Sequence, residues 1–144
     1  ERRPVDIDPE RLDECWQEQP RLMEDACLEV AKAKCKQAEA KRLLDLTEAS
    51  LSLSIRKNPE NYELAKATET AVVSTVIIQP DYQQYVKNLN DAKYDVDIRE
   101  ALVNALVDRR KALEDNVALH GMGYFSVPRE NKSLFKSKVK VRER

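Results

Sequence analysis

The sequence predicts an all-α fold: a long antiparallel helical hairpin, coiled-coil-like, with a short N-terminal helix and a basic C-terminal tail. Three observations carry that reading. Apolar residues recur at three and four residue steps along most of the chain, the spacing of one helix face. The 144 residues contain only two glycines, Gly121 and Gly123, so the first 120 are punctuated by proline alone. Aromatic residues make up 6% and alanine is frequent on the apolar steps, which fits slender paired helices better than a deep globular core.

The first helix start lies at Ile7-Asp8-Pro9-Glu10, where aspartate caps, proline fits the first turn and glutamate complements the positive end of the dipole. Pro20 disfavours helix at the residue before it, so this short helix is expected to stop near Gln19 and a second to begin at Pro20 or Arg21. The second runs unbroken over 21–57, a rod of about 55 Å at 1.5 Å per residue. Its inward seam reads Met23, Ala26, Val30, Ala33, Gln37, Ala40, Leu44, Thr47, Leu51 and Ser54, with no charge at any step. Small alanines bury little area each, so the rod needs neighbouring chains as well as its own hairpin partner.

Asn58-Pro59-Glu60 repeats the start signal. The helix it opens is expected to carry Tyr62, Ala65, Val72, Val73, Val76 and Ile77 inward. Residues 72–78 are rich in β-branched side chains, yet they lack period-two alternation and so stay helical. Pro80 either kinks or breaks the chain before a last helix over about 81–119. That helix repeats the seam at Tyr85, Leu89, Ala92, Val96, Val103, Leu106 and Leu113, with Arg99 and Arg110 intruding. His120-Gly121 ends it, glycine suiting the left-handed position. These boundaries give a helical oligomerisation and binding domain over 1–127 and a basic arm over 128–144.

Chemistry has little material. Glycine-dependent phosphate loops are excluded from the first 120 residues. Cys27 and Cys35 stand roughly 12 Å apart along one rod, too far to share a metal, and the odd cysteine count points to reduced thiols. Asp91, Asp95 and Asp97 lack the glycine of a calcium loop. One histidine, His120, cannot supply paired helical Glu-x-x-His motifs, and no serine sits in a glycine-flanked elbow. No enzyme, catalytic residue, metal or cofactor is therefore expected. No apolar run reaches the ~20 residues that span a bilayer and no signal-peptide pattern is present, so a soluble, cytoplasmic protein without membrane partners is expected.

Charge supplies the functional signal. The net of −1 hides four blocks: −6 over 1–29, +4 over 30–57, −4 over 58–127 and +5 over 128–144. Lys32, Lys34, Lys36, Lys41 and Arg42 stud the rod, and Arg56 and Lys57 close it where cations suit the dipole. In the tail, Lys136, Lys138, Lys140, Arg142 and Arg144 alternate with Val139, Val141 and Glu143, so an extended arm places the bases on one side. Such cations serve either as a solvated surface or as a phosphate track whose weak contacts multiply when copies assemble.

The order of several short motifs resembles the UvsY-like recombination mediator proteins of bacteriophages. They are Ile7-Asp8 with Leu12, Pro20 with Leu22, the passage Ile55-Arg56-Lys57-Asn58-Pro59-Glu60-Asn61-Tyr62, the step Lys66, Thr68, Glu69, and the helix Asp108-Arg109-Arg110-Lys111-Ala112-Leu113-Glu114. Coverage is roughly residues 5–127. The resemblance implies a ring-like homo-oligomer that binds single-stranded DNA and helps a recombinase displace single-strand-binding protein, likewise without catalysis. It puts the lead DNA contacts at Arg56 and Lys57; the tail departs from the family, and its charge alone makes Lys136, Lys138, Lys140 and Arg142 the second candidates. The alternative is a non-enzymatic helical scaffold or adaptor whose basic tail binds a protein partner.

Overall fold

A computed structural model describes residues 3–124. Among them are three α-helices, α1 (Leu12–Lys57), α2 (Glu69–Ile78) and α3 (Pro80–Gly121), a 3-10 turn over Pro59–Tyr62, and no strand. The all-α expectation holds. The helices contribute to two compact units, one from the described residues 3–23 with 104–124, the other Glu24–Val103. Within each unit α1 and α3 pack antiparallel, as a hairpin requires.

The short N-terminal helix is not separate. Asp8 does close a turn, its Oδ1 accepting from Glu10 N–H at 3.0 Å, but α1 starts at Leu12 and passes straight through Pro20. Proline there removes one backbone donor. Packing just ahead of it compensates: Cys15 and Gln19 are buried against α3, and Gln19 Nε2 donates to the Leu106 carbonyl at 2.7 Å. Tertiary contacts thus hold helix where the local preference before proline opposes it.

Along the rod the seam is as expected from Met23 to Leu51, with Ala26, Ala33 and Leu44 buried. Its last step moves by one residue. Ser54 is exposed and Ile55 is fully buried, forming with Val72 and Val76 an apolar cluster against which Leu51, Tyr62, Leu64, Ala67 and Tyr82 pack.

Asn58 does not open the return helix. It makes no side-chain cap bond, and Glu63 turns left-handed at φ 60°, its N–H donating to the Glu60 carbonyl. That bend brings Tyr62 and Leu64 onto Ile55, a contact that a straight helix from Pro59 would not make. The true start is Thr68, whose hydroxyl accepts from Ala71 N–H. The later start resets the helical phase: Val72, Thr75 and Val76 point inward, whereas Ala65, Val73 and Ile77 are exposed.

Pro80 breaks the chain. Gln79 is extended, as the residue before proline prefers, and α3 begins at Pro80 itself. Two amide side chains satisfy carbonyls left at the end of α2: Gln79 Nε2 donates to Thr75 O at 3.1 Å and Gln83 Nε2 to Ile77 O at 2.5 Å. At the far end of α3, Gly121 stays helical and the left-handed residue is Gly123 (φ 70°), whose N–H donates to the His120 carbonyl. His120 Nε2 lies 3.3 Å from the Pro9 carbonyl, which it meets as a donor.

The two arginines on the α3 seam are Arg99 and Arg109. Arg110 is exposed and pairs with Glu114 one turn on, while Arg109 is 4% exposed. Either residue satisfies three-four spacing between Leu106 and Leu113, and the acceptors on α1 select Arg109.

Candidate nucleic-acid interface

The last turn of α1 carries Arg56 and Lys57 beside its unsatisfied carbonyls, where positive charge is stabilised. The two have different surroundings. Arg56 Nη2 donates to both carboxylate oxygens of Glu69, at 2.7 and 2.9 Å, tying the end of α1 to the first turn of α2. Lys57 is exposed and makes no ion pair among the described residues. Lys136, Lys138, Lys140 and Arg142 lie outside the described residues.

The bases in the middle of α1 are mostly partnered. Lys32 pairs with Glu29, Lys34 with Glu100 on α3, Lys41 with Asp45 and Arg42 with Glu39. Hydrogen bonding to Asp45 holds the Lys41 ammonium above its ordinary range, and Glu39 does the same for the Arg42 guanidinium. All eight side chains are substantially exposed, so solvent screens these pairs and a polyanion competes for the cations.

Between α1 and α3 the second unit has a cleft of about 480 Å³ lined by Lys34, Gln37, Ala38, Lys41, Leu89 and Lys93. None of the lining residues is acidic. Lys93 makes no ion pair among the described residues, and its place beside Lys34 and Lys41 depends on the antiparallel pairing of α1 with α3. Sequence reading overlooked it because Lys93 stands alone in its own stretch of chain. Its one signal was its position next to the seam residue Ala92.

Cys15 is buried, Cys27 and Cys35 are exposed free thiols, and no group of three potential ligands is placed to hold a metal among the described residues. Asp95 pairs with Arg99, while Asp91 and Asp97 are exposed. No described helix is long and apolar enough to cross a membrane. No protein-family model, curated protein or solved structure matches the chain.

Proposed function

We propose that this protein is a non-enzymatic recombination mediator that binds single-stranded DNA as a homo-oligomer and promotes recombinase loading. The observation that supports it best is the cleft carrying Lys34, Lys41 and Lys93, the first two held by exposed carboxylates at its edge and Lys93 without an ion pair among the described residues. Three cationic handles set between two helices suit phosphates of a flexible strand, and the few aromatics favour backbone neutralisation over base stacking. Arg56 and Lys57 extend the same chemistry to the end of α1, with Lys57 the more available of the two. The recombinase, the single-strand-binding protein and the ring come from the resemblance to UvsY-like mediators.

A second reading draws on a different observation. Glu69 occupies Arg56 with a two-oxygen contact, so that arginine already has a structural task as a strap between α1 and α2. In this reading the chain is a helical scaffold or adaptor whose basic tail grips a protein.

Titration of a labelled single-stranded oligonucleotide at several salt concentrations separates them. The mediator reading expects binding that weakens steeply with salt, with a slope in log–log form of roughly 0.7 per phosphate neutralised. Lys34→Ala/Lys41→Ala/Lys93→Ala and Arg56→Ala/Lys57→Ala each lower that slope, and truncation after Val127 reports the share of the tail. No binding by the intact chain at low salt overturns the reading.

A further inference from the structure

α1 has a second apolar stripe on the face opposite its inward seam. Leu28, Ala31, Cys35 and Ala38 follow three-four steps, and Leu46, Ala49 and Leu53 continue them after one charged position, Arg42. Every one of these residues is exposed, with Leu28 at 53%, Leu46 at 58% and Leu53 at 69%. A helix meeting water on its outer side carries polar residues there. An apolar stripe of roughly 38 Å at helix rise, interrupted once, is instead the pattern of a helix packed on both faces. Beside it, a cleft of about 520 Å³ lined by Leu28, Ala31 and Cys35 together with the charged Glu29, Lys32, Asp95 and Arg99 leaves room for side chains from another helix.

We infer that this outer face of α1 pairs with the same face of a second copy of the chain, antiparallel, about a two-fold axis between residues 40 and 41. Charge selects the occupant and its direction. In that register Arg42 of each copy meets Glu39 of the other, so the pair now made within one chain is exchanged across the axis. Leu28 meets Leu53, Ala31 meets Ala49 or its neighbour, and Cys35 meets Leu46. Parallel pairing would stack Arg42 on Arg42, a like-charge arrangement that opposes assembly. A two-fold pairing of one patch with itself is the commonest symmetry of oligomers.

The inference rests on the self-association in the proposed function, and its test contains no DNA, so the failure of either is read separately. Cys35 supplies the probe. In a Cys27→Ser background, Leu46→Cys is expected to give a covalent dimer under mild oxidation, with the bond mapped to Cys35 and position 46. The Cys27→Ser chain alone should not crosslink, because its two Cys35 residues lie about 16 Å apart along the axis by helix rise, beyond the ~7 Å Cα limit of a disulfide. Leu46→Glu is expected at least to halve the mass of the assembly in solution with helical circular dichroism unchanged, Leu46 being exposed. A Cys35–Cys35 dimer, a monomeric intact chain, or an assembly indifferent to Leu46→Glu overturns the inference.

Discussion

Two seam arginines, ten residues apart on α3, are handled in opposite ways by the two units. Arg99 sits in the Glu24–Val103 unit at the edge of its seam. It donates to both oxygens of Asp95 at 3.0 Å and to Glu29 of α1 at 2.7 Å, with a third of its side chain still in water. Arg109, in the other unit, is 4% exposed and has no carboxylate partner among the described residues. Its Nη1 donates to Gln19 Oε1 at 2.5 Å and to the Cys15 carbonyl at 3.2 Å, and its Nε is buried without a partner. A charge at the edge keeps part of its solvation and reaches carboxylates that neutralise it. A buried one depends wholly on a few neutral acceptors, so those acceptors become indispensable while adding little stability of their own.

The largest effect is therefore expected at a neutral residue. Gln19→Leu removes the best acceptor of a buried guanidinium and should cost about 4 kcal/mol in urea denaturation. Gln19→Leu/Arg109→Leu should recover most of that loss, since a packed apolar pair carries no desolvation penalty. If the double variant is no more stable than the single one, Arg109 is not the liability its burial implies.

Next comes the Glu24–Val103 unit, whose core is apolar. Ile55→Ala empties a fully buried position against Val72 and Val76 and should cost about 3 kcal/mol. Amide hydrogen exchange sharpens the comparison. Gln19→Leu should speed exchange chiefly near residues 12–23 and 104–120, Ile55→Ala chiefly near 51–82. Equal acceleration everywhere would show the units unfolding as one.

The smallest effect is expected from acid. Hydrogen bonding to Lys32, reinforced by the charge of Arg99, holds the Glu29 carboxyl below its ordinary range, so its contribution is full above that range and is lost as pH falls through the lowered value. Exchange protection around Glu29 and Arg99 should fade as pH falls through that lowered value, and Glu29→Gln should abolish part of that dependence. The Arg109 contacts involve no acid and should persist through the same titration.

Much of this was legible in the sequence because helix period is a local property. The seam from Met23 to Leu51, the break before Pro80 as one of two options, and the basic zone of α1 all follow from residue spacing and elementary backbone chemistry. The misreadings share one cause. Pro20 and Asn58 both carry helix-boundary signals, and both were overruled by packing beyond the local turn, against Leu106 and Arg109 in one case and in the apolar cluster that joins Ile55 to Val72 and Val76 in the other. The cleft lysines were half visible: Lys34 and Lys41 stand out on α1, whereas Lys93 gains meaning only from the helix it faces.

The amino-acid sequence by itself determined the helical character of the described residues and the sorting of charge along them, because helix period and charge are both read from the residues at hand. Only the tertiary structure decided which arginine is buried, where α2 starts and which lysines share a cleft. Those outcomes turn on differences of a single residue in register, and local propensities are too similar there for anything but packing between helices to choose.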